Sequence, residues 1–188
     1  MMDRQWTGVV LAGGQSSRMG RDKALVQLEG IPLLDRAIER LRPHCREILV
    51  IGDPDKYSPE HATVVPDDRP GLGPLGGLVT ALRLARYVRT LVLACDLPNI
   101  NDRLLYLLKA ELIGDRDAVV PNHSGMLEPL AAAYHRHAIE AFTAQLDKDE
   151  LKLSKALDAV RTAYTDVEPG EQGWPIDLFR NINAPGDL

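Results

Sequence analysis

The sequence has few cysteines, few aromatic residues and no long hydrophobic segment. Its two cysteines, Cys45 and Cys95, belong to no CxxC pair and no Cys/His cluster with metal-ligand spacing. This excludes a disulfide-rich scaffold and a zinc-finger type of site, and we expect two buried thiols. The longest apolar runs, such as LVLAC at 91–95, are far too short to cross a bilayer, so no membrane segment is expected.

The chain also lacks the basic excess of a nucleic-acid-binding protein. Its net charge of -5 argues against general affinity for nucleic acid but leaves room for a local cationic patch that binds a small anion. The opening residues MMDRQWTGVV do not have the charged-then-apolar order of a secretory signal, so we expect a cytoplasmic protein. With 188 residues, 45% hydrophobic and 26% charged, the composition predicts one globular domain spanning 1–188.

Short apolar runs rich in β-branched residues alternate with segments of helical periodicity. The runs predict strands that are covered on both faces, at 6–11, 47–52, 62–66, 90–95 and 117–121. Apolar residues at helical spacing predict helices over 33–41, 78–85 and 103–112. This alternation is typical of a parallel α/β sheet.

The last third of the chain departs from this alternation. LEPLAAAYH at 127–135 is expected to form a strand that the internal Pro129 confines to a sheet edge or a bulge. The segment 168–175, EPGEQGWP, is expected to be a loop. His135 and His137, two residues apart at a predicted helix start, would not share a helix face, so we expect solvated side chains and not a metal pair.

The first strand is followed by the stretch LAGGQSSRMGRDKA at 11–24. Ligands of open α/β sheets bind outside the carboxyl ends of the strands, so a loop in this position is a candidate site. Gly13 and Gly14 allow close backbone approach, and their N–H groups could point at phosphate oxygens. Arg18, Arg21 and Lys23 add positive charge suited to phosphate. The stretch therefore predicts a phosphate-binding loop.

A second glycine cluster, GLGPLGGL, lies at 71–78. Gly71, Gly73 and Gly76 make a literal GxGxxG, and Asp96 lies twenty residues beyond Gly76. This spacing keeps a dinucleotide-binding oxidoreductase open as an alternative, although DDRP separates the glycines from the preceding strand. Pro74 suits the first turn of a helix, and Gly76 would let another group lie close to that helix start. The first loop, for its part, does not match GxxxxGK[ST], so a P-loop ATPase is disfavoured.

Acidic and amide side chains follow three other predicted strands or loops. Asp96 comes directly after the strand at 90–95, where Mg²⁺ could bridge it to a triphosphate. Without a metal, one pair of like unit charges ~4 Å apart costs ~4 kcal/mol at an effective dielectric of about 20. Asp67 and Asp68 follow the third strand and indicate a metal or ribose site, while a turn or cap role stays open for each aspartate. Asn181 and Asn183 alternate, so they could bind a second substrate together or cap the turn before Pro185.

Five segments carry a resemblance to a known family. They are LAGGQSSRMGRDKAL, GPLGGL, ACDLP, EPLAAAY and NINAPGDL. In this order and over almost the whole chain they resemble the molybdenum cofactor guanylyltransferases, the MobA family; the first segment alone would indicate only the wider nucleotidyltransferases. The resemblance implies a nucleotide-diphospho-sugar transferase-like fold. This is a three-layer sandwich with a mostly parallel, Rossmann-like sheet, helices on both faces and a mixed C-terminal part.

The resemblance also implies a reaction. GMP would pass from GTP to the terminal phosphate of molybdenum-bound molybdopterin, giving the guanine dinucleotide form of the cofactor and pyrophosphate, with Mg²⁺ required. The implied partners are GTP and molybdopterin, with other cofactor-biosynthesis proteins and recipient molybdoenzymes as further candidates, and neither nucleic acid nor membrane. A cytidylyltransferase or a sugar-nucleotide pyrophosphorylase of the same fold stays open as an alternative.

By similarity, individual residues take roles in this reaction. Leu11, Ala12 and Gly13 would lie along the nucleotide, and the Gly13 and Gly14 amides would bind phosphate oxygens. Lys23 would contact the phosphates and, with Arg18, stabilise the leaving pyrophosphate.

The remaining roles fall on the later loops. Asp67 would belong to the GTP site, Asp96 would hold Mg²⁺, and Asn181 and Asn183 would contribute to the pterin side. The chain departs from the family pattern at Ala184 and Gly186, which replace a threonine and a glutamate. These departures affect the pterin side more than the nucleotide side.

Overall fold

The structure, a computed structural model, describes residues 5–12 and 22–182. The strands in these ranges are β1 Thr7–Leu11, β2 Gln27–Leu28, β3 Ile31–Pro32, β4 Glu47–Ile51, β5 Thr63–Val65, β6 Arg89–Ala94, β7 Ala118–His123, β8 Met126–Leu127, β9 Ala131–His135 and β10 Thr162–Asp166. The helices there are α1 Leu33–Leu41, α2 Gly73–Leu84, α3 Asp102–Glu111, α4 Ala138–Leu146 and α5 Leu153–Asp158, with a 3-10 turn at Lys23–Leu25. The predictions made for Gly13, Gly14, Arg18, Arg21, Asn183, Ala184 and Gly186 lie outside the described residues.

A mostly parallel sheet forms the middle of the molecule. Its strand order is β10-β7-β9-β6-β1-β4-β5, with β8 paired to β7. Strand β1 pairs in parallel with β4 and with β6, β4 pairs in parallel with β5, and β10 pairs in parallel with β7. Only β9 runs against its neighbours β6 and β7 in this path. The predicted parallel α/β sheet is therefore confirmed, and the strand β10 was not among the predicted ones.

Both faces of the sheet are covered by helices, which explains the continuous apolar runs. All five residues of β1 are buried. Val10 belongs to one buried cluster, which includes leucines of α1 and α3, and Val9 belongs to another, which includes residues of α2, α4 and α5. Successive side chains of a strand point to opposite faces, so each strand feeds both clusters. The result is the three-layer arrangement that the resemblance implies.

The helices begin where local chemistry favours a start. Helix α1 covers 33–41 as predicted, with its apolar residues on the buried side. Helix α3 starts after Asn101, whose Oδ1 accepts the Leu104 N–H at 3.0 Å, as expected of an N-cap. Helix α2 starts at Gly73, ahead of the predicted start at 78, with Pro74 in its first turn. The glycines at 76 and 77 carry no apolar side chain and so gave no periodic signal.

The prediction of one edge or bulged strand at 127–135 is wrong. Pro129 lies in a turn that joins β8 to β9, so it removes no hydrogen bond from either ladder. Strand β9 then lies inside the sheet, with β6 on one side and β7 on the other. The turn is fixed by the Glu128 N–H, which donates to the Pro121 carbonyl at 2.9 Å.

The strand directions gather the carboxyl ends of six strands at one edge of the sheet. Strands β1, β4, β5 and β6 are parallel, and β7 and β10 point the same way because β9 is antiparallel to both β6 and β7. We call this the functional edge, meaning the residues that follow the ends of β1, β4, β5, β6, β7 and β10. Loops at this edge are where open α/β sheets bind ligands.

Two smaller predictions can also be compared with the structure. Cys45 and Cys95 are both buried and neither forms a disulfide, as expected. Among the residues that the structure describes, no helix combines the length and the apolar character needed to cross a bilayer.

Candidate functional site

A lysine and an aspartate from two different loops meet at the functional edge. Asp96 lies just beyond the end of β6, and Lys23 opens the 3-10 turn that follows the segment 13–21. Lys23 Nζ donates to Asp96 Oδ2 at 3.2 Å, and each side chain is 24% exposed. The fold thus brings together two of the predicted site residues that are 73 positions apart in sequence, and both stay accessible to a ligand.

The chemistry of the donor at Asp96 fits a hard divalent cation. Mg²⁺ prefers oxygen ligands and commonly binds through one or two carboxylates, with substrate phosphates and water completing its shell. The neighbouring thiol does not compete, because burial, followed by the charge of Asp96, raises the pKa of Cys95 to about 12. Cys95 therefore stays protonated near neutral pH, and a protonated thiol is a poor metal ligand.

Tyr57 fixes the two positions between which the segment 13–21 runs. Its hydroxyl donates to Asp22 Oδ2 at 2.6 Å and lies 3.2 Å from the carbonyl oxygen of Ala12. Burial, and then the Asp22 carboxylate, raise the pKa of Tyr57, so the hydroxyl keeps its proton and acts as a donor. Asp22 in turn accepts the Ala24 N–H at 3.1 Å, which caps the turn that carries Lys23. Tyr57 thus holds Ala12 and the Lys23 turn in a fixed relation.

Because only the hydroxyl makes these contacts, Tyr57→Phe isolates their effect. We expect the apparent affinity for the nucleoside triphosphate to fall by about tenfold, the cost of one hydrogen bond to a charged group. Nucleotide titration by calorimetry measures it, with Tyr106→Phe on the exposed face of α3 as the matched control. An unchanged affinity in Tyr57→Phe would show that the hydroxyl contacts to Ala12 and Asp22 do not contribute to nucleotide binding.

Asp67 and Gly76 lie together at the far end of the functional edge. Asp67 Oδ1 accepts from the Thr80 hydroxyl at 2.8 Å and from the Arg69 N–H at 3.0 Å, which fixes the carboxylate against α2. A Cβ on Gly76 would lie 3.0 Å from the Arg69 carbonyl oxygen and 3.7 Å from Asp67 Oδ2. Gly76 therefore lets the 67–69 loop pack against the start of α2, a close approach of the kind expected from the sequence.

Asp67 and Asp96 follow strands that are not neighbours in the sheet. Three inter-strand steps separate β5 from β6 in the order β6-β1-β4-β5. At ~4.8 Å a step this places the two strand ends roughly 14 Å apart along the edge. The metal and the ribose interpretations of Asp67 both stay predictions. Leu11, the last residue of the central strand β1, and Ala12, which follows it, lie between Asp67 and Asp96 along the edge.

The C-terminal segment reaches back to the same edge. The Ile182 N–H donates to the Asp96 carbonyl at 2.9 Å, so the backbone next to Asn181 lies against the loop after β6. Asn181 itself is exposed. Residues 179–182 form no strand, so the predicted strand spacing of the two asparagines does not hold for the described part of this segment.

The sequence did not identify His123 and Glu128 as members of this edge. His123 ends β7 and pairs with Glu128, whose Oε1 lies 2.8 Å from Nε2. The ring of Phe179 stacks on His123 with ring centroids 4.7 Å apart, so the C-terminal segment links the end of β7 to Asp96. The one available signal was a histidine at the end of an apolar strand with a glutamate five positions later. That signal is weak, because the histidine and the glutamate meet only if the chain turns tightly between them.

Asp68 lies beside Asp67 and contacts α2, whereas the HRH motif lies at the opposite end of the sheet. Asp68 contacts Arg83 on α2 and its N–H bonds to Thr80. The expectation for the HRH motif assumed that both histidines lie at a helix start, and this assumption is wrong. His135 ends β9 and only His137 flanks α4, so the two rings are not on a common helix and their centroids lie 4.0 Å apart.

The fold and this edge define a nucleotidyltransferase of the α/β type. More particularly, the chain matches the model of the MobA-like NTP transferase domain over residues 8–163, and it belongs to that family. This membership excludes the alternative of a dinucleotide-binding oxidoreductase. Of the three glycines that suggested it, Gly73 and Gly76 lie in the first turn of α2.

Individual relatives agree with this assignment. The chain is 34% identical to a probable molybdenum cofactor guanylyltransferase of Chloroflexus aggregans, with 97% of this chain and 91% of the relative aligned. It is 35% identical to a protein of the same description from Thermococcus sibiricus, with 96% and 94% aligned. Among solved structures it is similar to molybdopterin-guanine dinucleotide biosynthesis protein A of Archaeoglobus fulgidus. That match has a TM-score of 0.76 and 27% identity and covers 96% and 94% of the two chains.

Proposed function

We propose that this protein transfers GMP from GTP to the terminal phosphate of molybdenum-bound molybdopterin, releasing pyrophosphate and forming the guanine dinucleotide cofactor. The observation that carries the proposal is the Lys23–Asp96 pair at the functional edge, where a cation and a carboxylate lie 3.2 Å apart and half-buried. In a Mg²⁺-triphosphate complex, the phosphates carry the charge opposite to that of Lys23, and the metal ion carries the charge opposite to that of Asp96. The names of the aligned relatives support guanine as the base and molybdopterin as the acceptor.

In this proposal the nucleotide lies along the edge from β5 to β6. Its base and ribose lie near Asp67 and Gly76, and Leu11 and Ala12 line its middle. Its phosphates lie at Lys23, together with the Gly13 and Gly14 amides and Arg18 of the adjoining segment. This direction is supported by the roughly 14 Å between the ends of β5 and β6, which suits an extended nucleotide.

Asp96 is the proposed ligand of Mg²⁺, and the ion when bound supplies Lewis-acid polarisation of a phosphate oxygen. The residues of the chain do the rest. Lys23 exchanges its bond to Asp96 for one to the phosphates, and this places positive charge where pyrophosphate leaves. Holding the two substrates in line is a second contribution, which converts a bimolecular encounter into a reaction within one complex. The acceptor phosphate is ionised near neutral pH, so no side chain has to act as a general base.

The acceptor is proposed to bind at the other side of Asp96. The C-terminal segment runs from Phe179, stacked on His123, to Ile182, bonded to Asp96, and it presents Asn181 at the surface. The His123–Glu128 pair at the end of β7 supplies further polar groups at this side. We further propose that the enzyme works in the cytoplasm, with cofactor-biosynthesis proteins or recipient molybdoenzymes as partners.

The test is base selectivity in a complete reaction. The protein is incubated with molybdopterin, Mg²⁺ and one α-labelled triphosphate at a time, and label on the pterin is measured together with pyrophosphate. We expect label transfer from GTP, and transfer from CTP at least about 100-fold slower, because a site that hydrogen-bonds guanine leaves its polar groups unpaired with cytosine. Equal transfer from CTP, or none from any triphosphate, would contradict the proposal. A fold likeness to the cytidylyltransferase of Thermus thermophilus, at 18% identity, makes CTP the appropriate comparison.

A further inference from the structure

A second cluster of metal-binding side chains lies at the opposite end of the sheet. Asp117 immediately precedes β7, His135 ends β9, and His137 lies just before α4. Each of the three offers one ligand atom, and these atoms all lie within 4.8 Å of one another. Among the described residues this is the one group of three or more such side chains. The start of β7 and the end of β9 are at the edge away from Asp96, because β7 is parallel to β6 and β9 is antiparallel.

We propose that Asp117, His135 and His137 form a binding site for a late first-row transition-metal ion such as Zn²⁺. Two imidazole nitrogens and one carboxylate oxygen are a donor set that zinc accepts, with water in the remaining position. The same set is poorly suited to Mg²⁺, which prefers oxygen ligands. The site would therefore select a different ion from the one proposed at Asp96.

The carboxylate of the cluster is already held in one orientation. Arg161 donates to Asp117 Oδ2 through Nε at 2.9 Å and through its backbone N–H at 3.1 Å, and Nη2 donates to Oδ1 at 3.0 Å. Asp117 is 6% exposed, and its Oδ1 lies 3.9 Å from His137 Nδ1. Hydrogen bonds that orient a ligating carboxylate in this way are the usual second-layer support of metal sites.

The two histidines need only a small movement to complete the site. The His137 N–H donates to His135 Nδ1 at 3.2 Å, which fixes the relation of the two residues. A zinc ion with bonds of about 2.1 Å needs donor atoms about 3.4 Å apart, so the present separations must shorten by roughly an ångström. His137 can provide this, because its side chain is 70% exposed.

Nearby positive charge restricts which ion can bind. Arg161 contacts Asp117, and Arg89 and Arg136 lie close enough to His135 for their charges to act on it. These guanidinium groups oppose any cation, so binding must come from strong metal–imidazole bonds and not from net charge. This favours Zn²⁺, Ni²⁺ or Cu²⁺ over Mg²⁺ and Ca²⁺.

The experiment is a Zn²⁺ titration of the full, tag-free chain by calorimetry, repeated in excess Mg²⁺. We expect one equivalent of Zn²⁺ to bind, with affinity at least tenfold weaker in His137→Asn and in His135→Gln. Asp96→Asn and the exposed-histidine control His61→Asn should bind Zn²⁺ as the unaltered chain does. Zn²⁺ should also raise the melting temperature of the unaltered chain but not that of His137→Asn, since a ligand that binds only the folded state stabilises it.

Three results would overturn the site. One is the absence of stoichiometric Zn²⁺ binding in the unaltered chain. A second is equal binding in His137→Asn and in His61→Asn. Binding lost in Asp96→Asn but kept in His137→Asn would place the ion at the functional edge and would equally overturn it. Since no nucleotide is present, the outcome does not depend on the proposed guanylyl transfer.

Discussion

Replacing Asp96 by asparagine is expected to lower Mg²⁺-dependent guanylyl transfer by about 10³-fold, the scale of losing one preorganised charge-stabilising group. Asparagine keeps the size of the side chain and an oxygen, but it loses the negative charge that a divalent cation needs. The rate is measured as pyrophosphate release with GTP, molybdopterin and Mg²⁺. Melting temperature should change little, because the Asp96 side chain is part of no apolar cluster and is partly exposed.

The control for this variant is Asp158→Asn on α5. Asp158 is exposed, and its ion pair among the described residues is with the exposed Lys155, 3.9 Å away, so its removal should leave transfer unchanged. Transfer by Asp96→Asn at the rate of Asp158→Asn, over a range of Mg²⁺ concentrations, would remove Asp96 from the metal site.

Lys23→Ala is expected to weaken GTP binding by about 10- to 100-fold, which corresponds to losing one hydrogen bond to a charged group. Lys23→Arg should recover part of this loss, since it restores the charge but not the compact ammonium. Calorimetry with GTP and Mg²⁺ measures both variants, and Lys155→Ala, an exposed lysine on α5, is the control. GTP affinity in Lys23→Ala equal to that of the control would show that Lys23 does not contact the phosphates.

Lys23 and Asp96 touch, so their substitutions should not be additive. In the double variant Lys23→Ala/Asp96→Asn, the effect on transfer should be smaller than the product of the two single effects. The reason is that each single variant leaves a half-buried charge without the partner that now lies 3.2 Å from it. If the effect of the double variant equals the product of the two single effects, the residues act at separate places.

The central strands and α1 could be predicted because the sheet is buried on both faces. Strands β1 and β6 then contain runs of consecutive apolar residues, at 9–11 and 91–94, which are visible in the local sequence alone. Helix α1 has its apolar residues on the buried side, so both of its limits follow from the spacing. Strand β10 gives a weaker signal, because only Thr165 of its five residues is buried.

The error at 127–135 comes from information that a local pattern does not contain. Pro129 cannot donate a hydrogen bond to a neighbouring strand, so it is not expected inside a strand. Its presence does not decide whether the chain turns before or after it. In the fold a turn surrounds Pro129, and the small residues that follow it form an interior strand. The prediction for the HRH motif failed for the same reason, since β9 ends at His135 and α4 begins only after His137.

Only one part of the candidate site could be predicted, namely the part that follows from the sheet topology. Lys23 and Asp96 each follow a strand, and parallel strands bring their carboxyl ends to one edge, so their proximity could be expected. The contacts of Tyr57 could not, because they join a buried side chain to two residues 45 and 35 positions away. The His123–Glu128 pair was missed because neither residue lies in a glycine-rich or acidic motif.

The central claim is that the functional edge holds a nucleoside triphosphate and its metal ion between Lys23 and Asp96. The most direct test is a crystal structure with a non-hydrolysable GTP analogue and Mn²⁺, located by its anomalous signal. The ion should lie about 2.1 Å from Asp96 Oδ2, close to the Mg²⁺–oxygen distance, with Lys23 on a phosphate oxygen. Mn²⁺ and nucleotide bound elsewhere, with the Lys23–Asp96 contact intact, would contradict the claim.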